Sequence, residues 1–379
     1  MDILKANLAA LPAEVLESVA RNLQLSELRC LRLTSKALEV KSSYHFGRTH
    51  FATVTTNMSF ASIQKLESLS KSTWAVHIKV FRLDWDEEAG HGLIWGRERK
   101  PSKAILSSLP VMQQVRDIIL RFINCRSICI TTPYEHDHMF CPRVDMLGCS
   151  DLLGLCFILV AETGLALETF RLEMGSNSKD RVKNGLIHME QIERPTFRKT
   201  FSELKELSLR LSVDDTPCDW VWKLVSEAVQ LRKLDFDVTI FEPFYFEPLS
   251  LSHVRELSFS YMKISEANLT TLLQRCRHCL RSLKLFGTRL DQSWRGILRF
   301  LQNFHDLERI SFHFLRVYRG TLPCAFNSLG DSVVGSSPSN PKLQLRRKGP
   351  SGRQRIVGVD YSGPSMRRVL EMLENAIDL

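Results

Sequence analysis

The chain has 379 residues, 44% of them hydrophobic and 25% charged, which excludes disordered and fibrous classes and leaves room for several domains or an extended array. The formal charge is +9, but six basic and no acidic residues lie between Lys342 and Arg355, and taking those six away leaves +3. The charge therefore describes one local segment and not a chain built to bind nucleic acid or a membrane surface.

Met1 to Ala10 contains Asp2 and Lys5 and lacks the apolar stretch of a secretory signal. The longest apolar run, Leu152 to Val160, is far shorter than the ~20 residues of a spanning helix. The ten cysteines are scattered, several of them inside apolar runs. They read as reduced thiols with no disulfide framework, which points to cytoplasm or nucleus.

Residues 11–40 carry the densest local pattern. Pro12 suits a helix start, and Val15, Leu16, Val19 and Leu23 follow at helical spacing. Ser26 is a candidate cap for a second short helix bearing Leu28 and Leu31, and Thr34 or Ser35 for a third bearing Leu38. Three such helices bury too little apolar surface to stand alone, so they dock on the rest of the chain or on a partner.

The Leu-Pro-x-Glu-Val-Leu opening at Leu11, the Leu-Ser-Glu-Leu step at Leu25 and Leu-Arg-Leu-Thr-Ser-Lys at Leu31 resemble an F-box in order and spacing. Gln24 stands where a proline is common, and no tryptophan follows Ser35-Lys36. The resemblance implies an α/β protein with an N-terminal three-helix F-box that binds the Skp adaptor and, through it, a cullin. Carried over position by position, Leu11, Pro12, Leu16, Val19, Leu28 and Leu31 would form the adaptor face. An ordinary helical hairpin packed on its own domain is the alternative.

Beyond residue 45 a Leu-x-x-Leu-x-Leu frame recurs. It fits Leu204-Leu207-Leu209, Leu231-Leu234-Phe236, Val254-Leu257-Phe259, Leu280-Leu283-Leu285 and Leu307-Ile310-Phe312, with middle residues 27, 23, 26 and 27 apart. Looser copies begin at Ile78, Cys125 and Leu167. Between frames lie helical stripes, such as Leu269, Leu272, Leu273 and Cys276 behind Ser265, and Trp294, Ile297, Leu298 and Leu301 behind Asp291. Strand–helix repeats of this period predict a leucine-rich-repeat-like solenoid over 46–326, similar to the irregular repeats of many F-box proteins. A compact α/β domain is the alternative.

Strand alternation turns the residues beside the core leucines outward. On this basis Arg210, Asp235, Asp237, Glu256, Lys284, Phe286, Arg309 and His313 are the candidate target-binding residues. Residues 327–354, rich in Ser, Gly, Pro and basic side chains, read as a flexible loop. Residues 355–379 read as a last strand and a capping helix.

No phosphate-cradling glycine loop and no nucleophile elbow is present, and no catalytic residue is assigned. Cys276 and Cys279 lack a second ligand pair, and Cys125, Cys129, His136, His138 and Cys141 match no standard zinc spacing, so no metal or cofactor is expected. No aromatic residues are interleaved in the basic segment 342–355, and a solvated loop is favoured there over nucleic-acid contact. The sequence thus reads as a non-enzymatic substrate receptor of a cullin–RING ubiquitin ligase. Its rivals are an F-box scaffold working outside ubiquitin transfer and a nucleic-acid-associated protein using residues 342–355.

Overall fold

The computed structural model describes residues 8–86, 88–93, 109–132, 147–174, 182–184, 187–212, 219–239, 251–317, 323–326, 329, 343–348 and 355–377. The fold is mixed α/β: three N-terminal helices lead into a large, mostly parallel sheet flanked by helices.

The helices are Ala13–Ala20 (α1), Leu25–Thr34 (α2) and Lys36–His50 (α3). Pro12 sits at the cap of α1, as its missing N–H allows. The second helix begins two residues earlier than a Ser26 cap would have it. Gln24 takes the cap position, and its N–H donates to the Glu27 carboxylate at 2.8 Å. Ser35 caps α3, accepting from the Leu38 N–H at 3.3 Å. The interior of this module is small, built on Leu16, Ala20, Leu28 and Leu38.

The far end of α3 docks on the turn Thr73–His77. Phe51 stacks on Trp74 at 5.0 Å between centroids, and Phe46 meets the same indole edge-on at 5.6 Å. The Arg32 guanidinium lies 4.3 Å over Phe46 and 5.3 Å from the Trp74 ring, tying α2 to the same contact. Gly47 is required here, because a Cβ at that position would collide with the His77 imidazole. Trp74, from outside the helices, thus packs on the third one.

The sheet runs β1 (Thr53–Thr56), β2 (Val80–Asp84), β3 (Ser127–Thr131), β4 (Thr169–Glu173), β5 (Glu206–Ser212), β6 (Lys233–Thr239), β7 (Glu256–Ser260), β9 (Ser282–Phe286) and β11 (Arg309–His313), each parallel to the one before. All eight Leu-x-x-Leu-x-Leu frames found in the sequence form strands, with their second and third positions buried. Register stacks these positions into two continuous rows. One is Val54, Phe81, Ile128, Phe170, Leu207, Leu234, Leu257, Leu283 and Ile310; the other runs from Thr56 through Leu83 and Leu209 to Phe312. Burying each such side chain stabilises the fold by about 1.5–3 kcal/mol, so the rows are its spine.

The crossovers carry helices, as parallel neighbours need. The helix Glu266–Cys276 buries Leu269, Leu272, Leu273 and Cys276, and the Ser265 hydroxyl accepts from the Asn268 N–H at 3.1 Å. The helix Trp294–Leu301 buries Trp294, Ile297, Leu298 and Leu301, but its cap is Ser293. Asp291 instead accepts from the Glu266 N–H of the preceding unit at 2.8 Å. The apolar run 152–160 belongs to the helix Cys149–Thr163, which is buried nearly all round.

After each of the last three parallel strands comes a two-residue strand: β8 (Lys263–Ile264), β10 (Arg289–Leu290) and β12 (Arg316–Val317), which pair parallel in a second small sheet. The large sheet ends with β14 (Arg355–Ser362), antiparallel to β11, and β13 (Gln344–Lys348) on its outer edge. Residues 344–348 were expected in a flexible loop and are a strand, because β14 offers them a ladder that no local pattern announces. The helix Met366–Ala376 packs on Trp294–Leu301, with Arg299 on Glu374 at 2.6 Å.

Candidate protein-interaction surfaces

The N-terminal module divides the expected adaptor residues into two groups. Leu16 and Leu28 have no exposed surface; they hold the helices together and are unavailable to a partner. Leu11 and Leu31 are half-buried, while Pro12 and Val19 are exposed. The correction has a simple cause. In a module this small, the one apolar stripe must serve as its interior. The surface instead presents Val15 and Val19 on one face of α1, Leu33 at the end of α2, and Val40 and Tyr44 one turn apart on α3. Leu33 is 87% exposed and lies in an open depression of about 460 Å³ with Arg29, Arg32, Ser35, Lys36 and Glu39.

The strand side of the sheet is a mosaic of paired charges. Arg210 donates to Asp235 from two nitrogens, at 2.7 and 3.2 Å. Glu256 accepts from Arg309, two strands away, at 3.1 Å, and Lys233 approaches it to 3.8 Å. Arg171 meets Glu206 at 3.2 Å, and Arg82 meets Asp84 at 2.7 Å with Thr131 joined to the same carboxylate. A cleft of about 150 Å³ opens between Arg171, Glu206, Ser208, Arg210 and Asp235. Such exposed pairs contribute only ~0–1 kcal/mol each, so a partner exchanges them at little cost.

The remaining expected target residues are dispersed. Lys284 is exposed between these pairs. Asp237 is half-buried, and desolvation, with Asp235 beside it, pushes its carboxyl up to about 6 against the opposing pull of Arg210. Phe286 belongs to an aromatic cluster. His313 does not face solvent: it is buried, its Nε2 within 2.9 Å of Asp360, and it fills the space a side chain at Gly358 would need. That placement follows from β14, whose antiparallel pairing covers the last parallel strand and could not be read from the repeat.

The thiols of the core are poor nucleophiles. Burial pushes Cys125 and Cys129 up to about 11 and Cys276 up to about 12, and raises Cys156 further. Cys276 lies over the Leu273 carbonyl at 3.3 Å inside its helix stripe, and Cys279 over the Val254 carbonyl at 3.1 Å. His136, His138 and Cys141 lie outside the described residues. Among the described residues no three His, Cys, Asp or Glu side chains group to hold a metal ion, and no helix is long and apolar enough to cross a membrane.

No protein-family model matches the chain, and no curated protein matches it significantly.

Proposed function

We propose that the chain is an F-box-type substrate receptor: α1–α3 hold the Skp adaptor of a cullin–RING ubiquitin ligase, and the strand–helix array, a leucine-rich-repeat-like solenoid, holds a protein target. The observation that carries the proposal is the apolar surface of the module. Within residues 8–44, Leu8, Val15, Val19, Leu33, Val40 and Tyr44 are large apolar side chains that the fold leaves open to water. Six exposed large apolar side chains within fewer than forty residues support reading this module as a partner surface. The ordered F-box-like motif on the same helices names the partner. Strands laid in sequence order with one continuous core support the solenoid reading, since each unit buries its apolar face on the next.

In this mechanism the chain contributes no reacting group. It raises the concentration of a target near the ligase, and the ubiquitin transfer chemistry belongs to its partners. The cytoplasm or the nucleus is the compartment that goes with it.

The test is adaptor capture by the full chain and its variants Val19→Asp and Leu33→Asp, whose native side chains stand exposed. Both variants keep the wild-type melting profile within experimental error, while adaptor affinity falls about tenfold or more. Failure of the wild type to bind, or binding unchanged in both variants, removes the receptor reading. A chain that binds the adaptor yet supports no ubiquitin transfer to any captured protein is instead the non-ligase scaffold.

A further inference from the structure

The last three strand–helix units repeat a feature that the leucine frame does not require. Tyr261, Gly287 and Phe314 follow β7, β9 and β11 at matching positions, and all three adopt left-handed backbone, with φ of 56°, 61° and 52°. Glycine tolerates that conformation, but for tyrosine and phenylalanine it is costly. The turn is locked from the neighbouring unit, the Tyr261 N–H donating to the Phe286 carbonyl at 2.7 Å and the Gly287 N–H to the His313 carbonyl at 2.8 Å. The Phe314 N–H reaches the Val357 carbonyl at 2.8 Å, where β14 bulges away from β13.

The turn delivers two residue types to one edge of the molecule. Rings come first: Tyr261 meets Phe286 edge-on at 5.2 Å, and Phe286 meets Phe314 at 5.5 Å. Two residues after each turn comes a cation. Lys263, Arg289 and Arg316 stand side by side in register on β8, β10 and β12, about 4.8 Å from one strand to the next. Arg289 and Arg316, abreast in register, repel one another, and among the described residues neither guanidinium has a hydrogen bond or ion pair to offset it. The exposed strand β13 adds Arg346, 5.2 Å over the Phe314 ring, and Lys348 at 5.5 Å. The basic segment that lacked aromatics in sequence thus acquires them from the repeat.

We infer that this edge is a docking site for an extended, acidic segment of a protein partner, one whose carboxylate or phosphate groups pair with Arg289, Arg316, Arg346 and Lys348 and whose apolar side chain rests on Tyr261. Charge complementarity selects an acidic occupant. The ring geometry favours peptide over nucleic acid: the Phe314 face is taken by Arg346 and Lys348, and among the described residues of this edge only Tyr261, 57% exposed, stands as an exposed large ring, whereas single strands need successive stacking platforms. The site deepens the receptor reading, and its partner's role as a target rests on that reading; the binding itself does not.

The experiment measures binding of a fluorescein-labelled Glu-rich dodecapeptide, its phosphoserine counterpart and an oligothymidine to the full chain. The wild type binds at least one acidic peptide, and Arg289→Glu/Arg316→Glu weakens it roughly tenfold or more, with the milder Arg289→Gln/Arg316→Gln in reserve should the reversal disturb folding. Lys65→Glu, an exposed lysine on the helix Phe60–Ser70 far along the chain, leaves binding within about twofold. The phosphoserine arm decides between carboxylate and phosphate. No peptide binding by the wild type, an equal loss in Lys65→Glu, or tighter binding of oligothymidine than of either peptide overturns the inference. Adaptor capture is read separately, so loss of the acidic site and loss of the receptor function give different results.

Discussion

The two ends of this chain spend their apolar residues in opposite ways. Along the sheet from β1 to β11 nearly every large apolar side chain is buried in one continuous core, where each strand–helix unit is covered by the next. In α1–α3 only Leu16, Ala20, Leu28 and Leu38 are buried, while the exposed Val15, Val19, Leu33, Val40 and Tyr44 outnumber them. A repeated unit supplies its own neighbour; the three-helix module meets the rest of the chain chiefly where α3 packs on Trp74. The difference teaches where to look for a partner, and it also ranks the effects of substitution.

The largest effect belongs to the spine. Phe170 has no exposed surface, is stacked in register between Ile128 and Leu207, and meets Phe157 and Phe201. Phe170→Ala is expected to cost about 3–5 kcal/mol and to lower the melting temperature of the whole array, as seen by denaturant titration followed by circular dichroism. If the loss were confined to one unit, the strands would not share a cooperative core.

Leu16→Ala is expected to cost about 2–4 kcal/mol, but within the module alone. Amide exchange should accelerate across residues 13–50 while the strands from β2 onward keep their protection. Equal acceleration in the sheet would mean that the module and the array fold as one unit. The aromatic clamp at Trp74 would then couple them more strongly than its contacts imply.

The smallest effect concerns Asp237. Its folded carboxyl titrates at about 6, above the ordinary value of 3.8. A raised acid favours folding only in its protonated form, so stability is lost as pH rises from about 4 to about 6 and the full penalty stands at neutral pH. Asp237→Asn is expected to raise stability by about 1 kcal/mol at neutral pH, after allowance for solvent screening, and by much less at pH 4. A melting temperature that changes equally at both pH values would place the origin of the shift elsewhere.

Much of the array was legible because its signal repeats. Leu207, Leu234, Leu257, Leu283 and Ile310 announce the strands, and the stripes at Leu269 and Trp294 announce helices, since the period carries the information even where a single copy is ambiguous. What escaped were features set by distant chain. Strand β13 exists because β14 lies beside it, His313 is enclosed by that same strand, and Trp74 reaches the third helix from a later turn. In the module, the sequence pattern could not say which apolar residues face inward: Leu16 and Val19 lie on one stripe, and the interior accommodates only one of them. The rings and cations that turns at Tyr261, Gly287 and Phe314 bring together lie in separate stretches of sequence, and only pairing of β8, β10 and β12 puts them in line.

The central claim is that α1–α3 present a surface completed by another protein. The most direct measurement is hydrogen–deuterium exchange of the full chain with and without the Skp adaptor. Protection confined to residues 8–50, strongest around Val15, Val19 and Leu33, is the expected result. No change on adding the adaptor, or protection that appears in the strands from β2 to β11 and spares the helices, would contradict it.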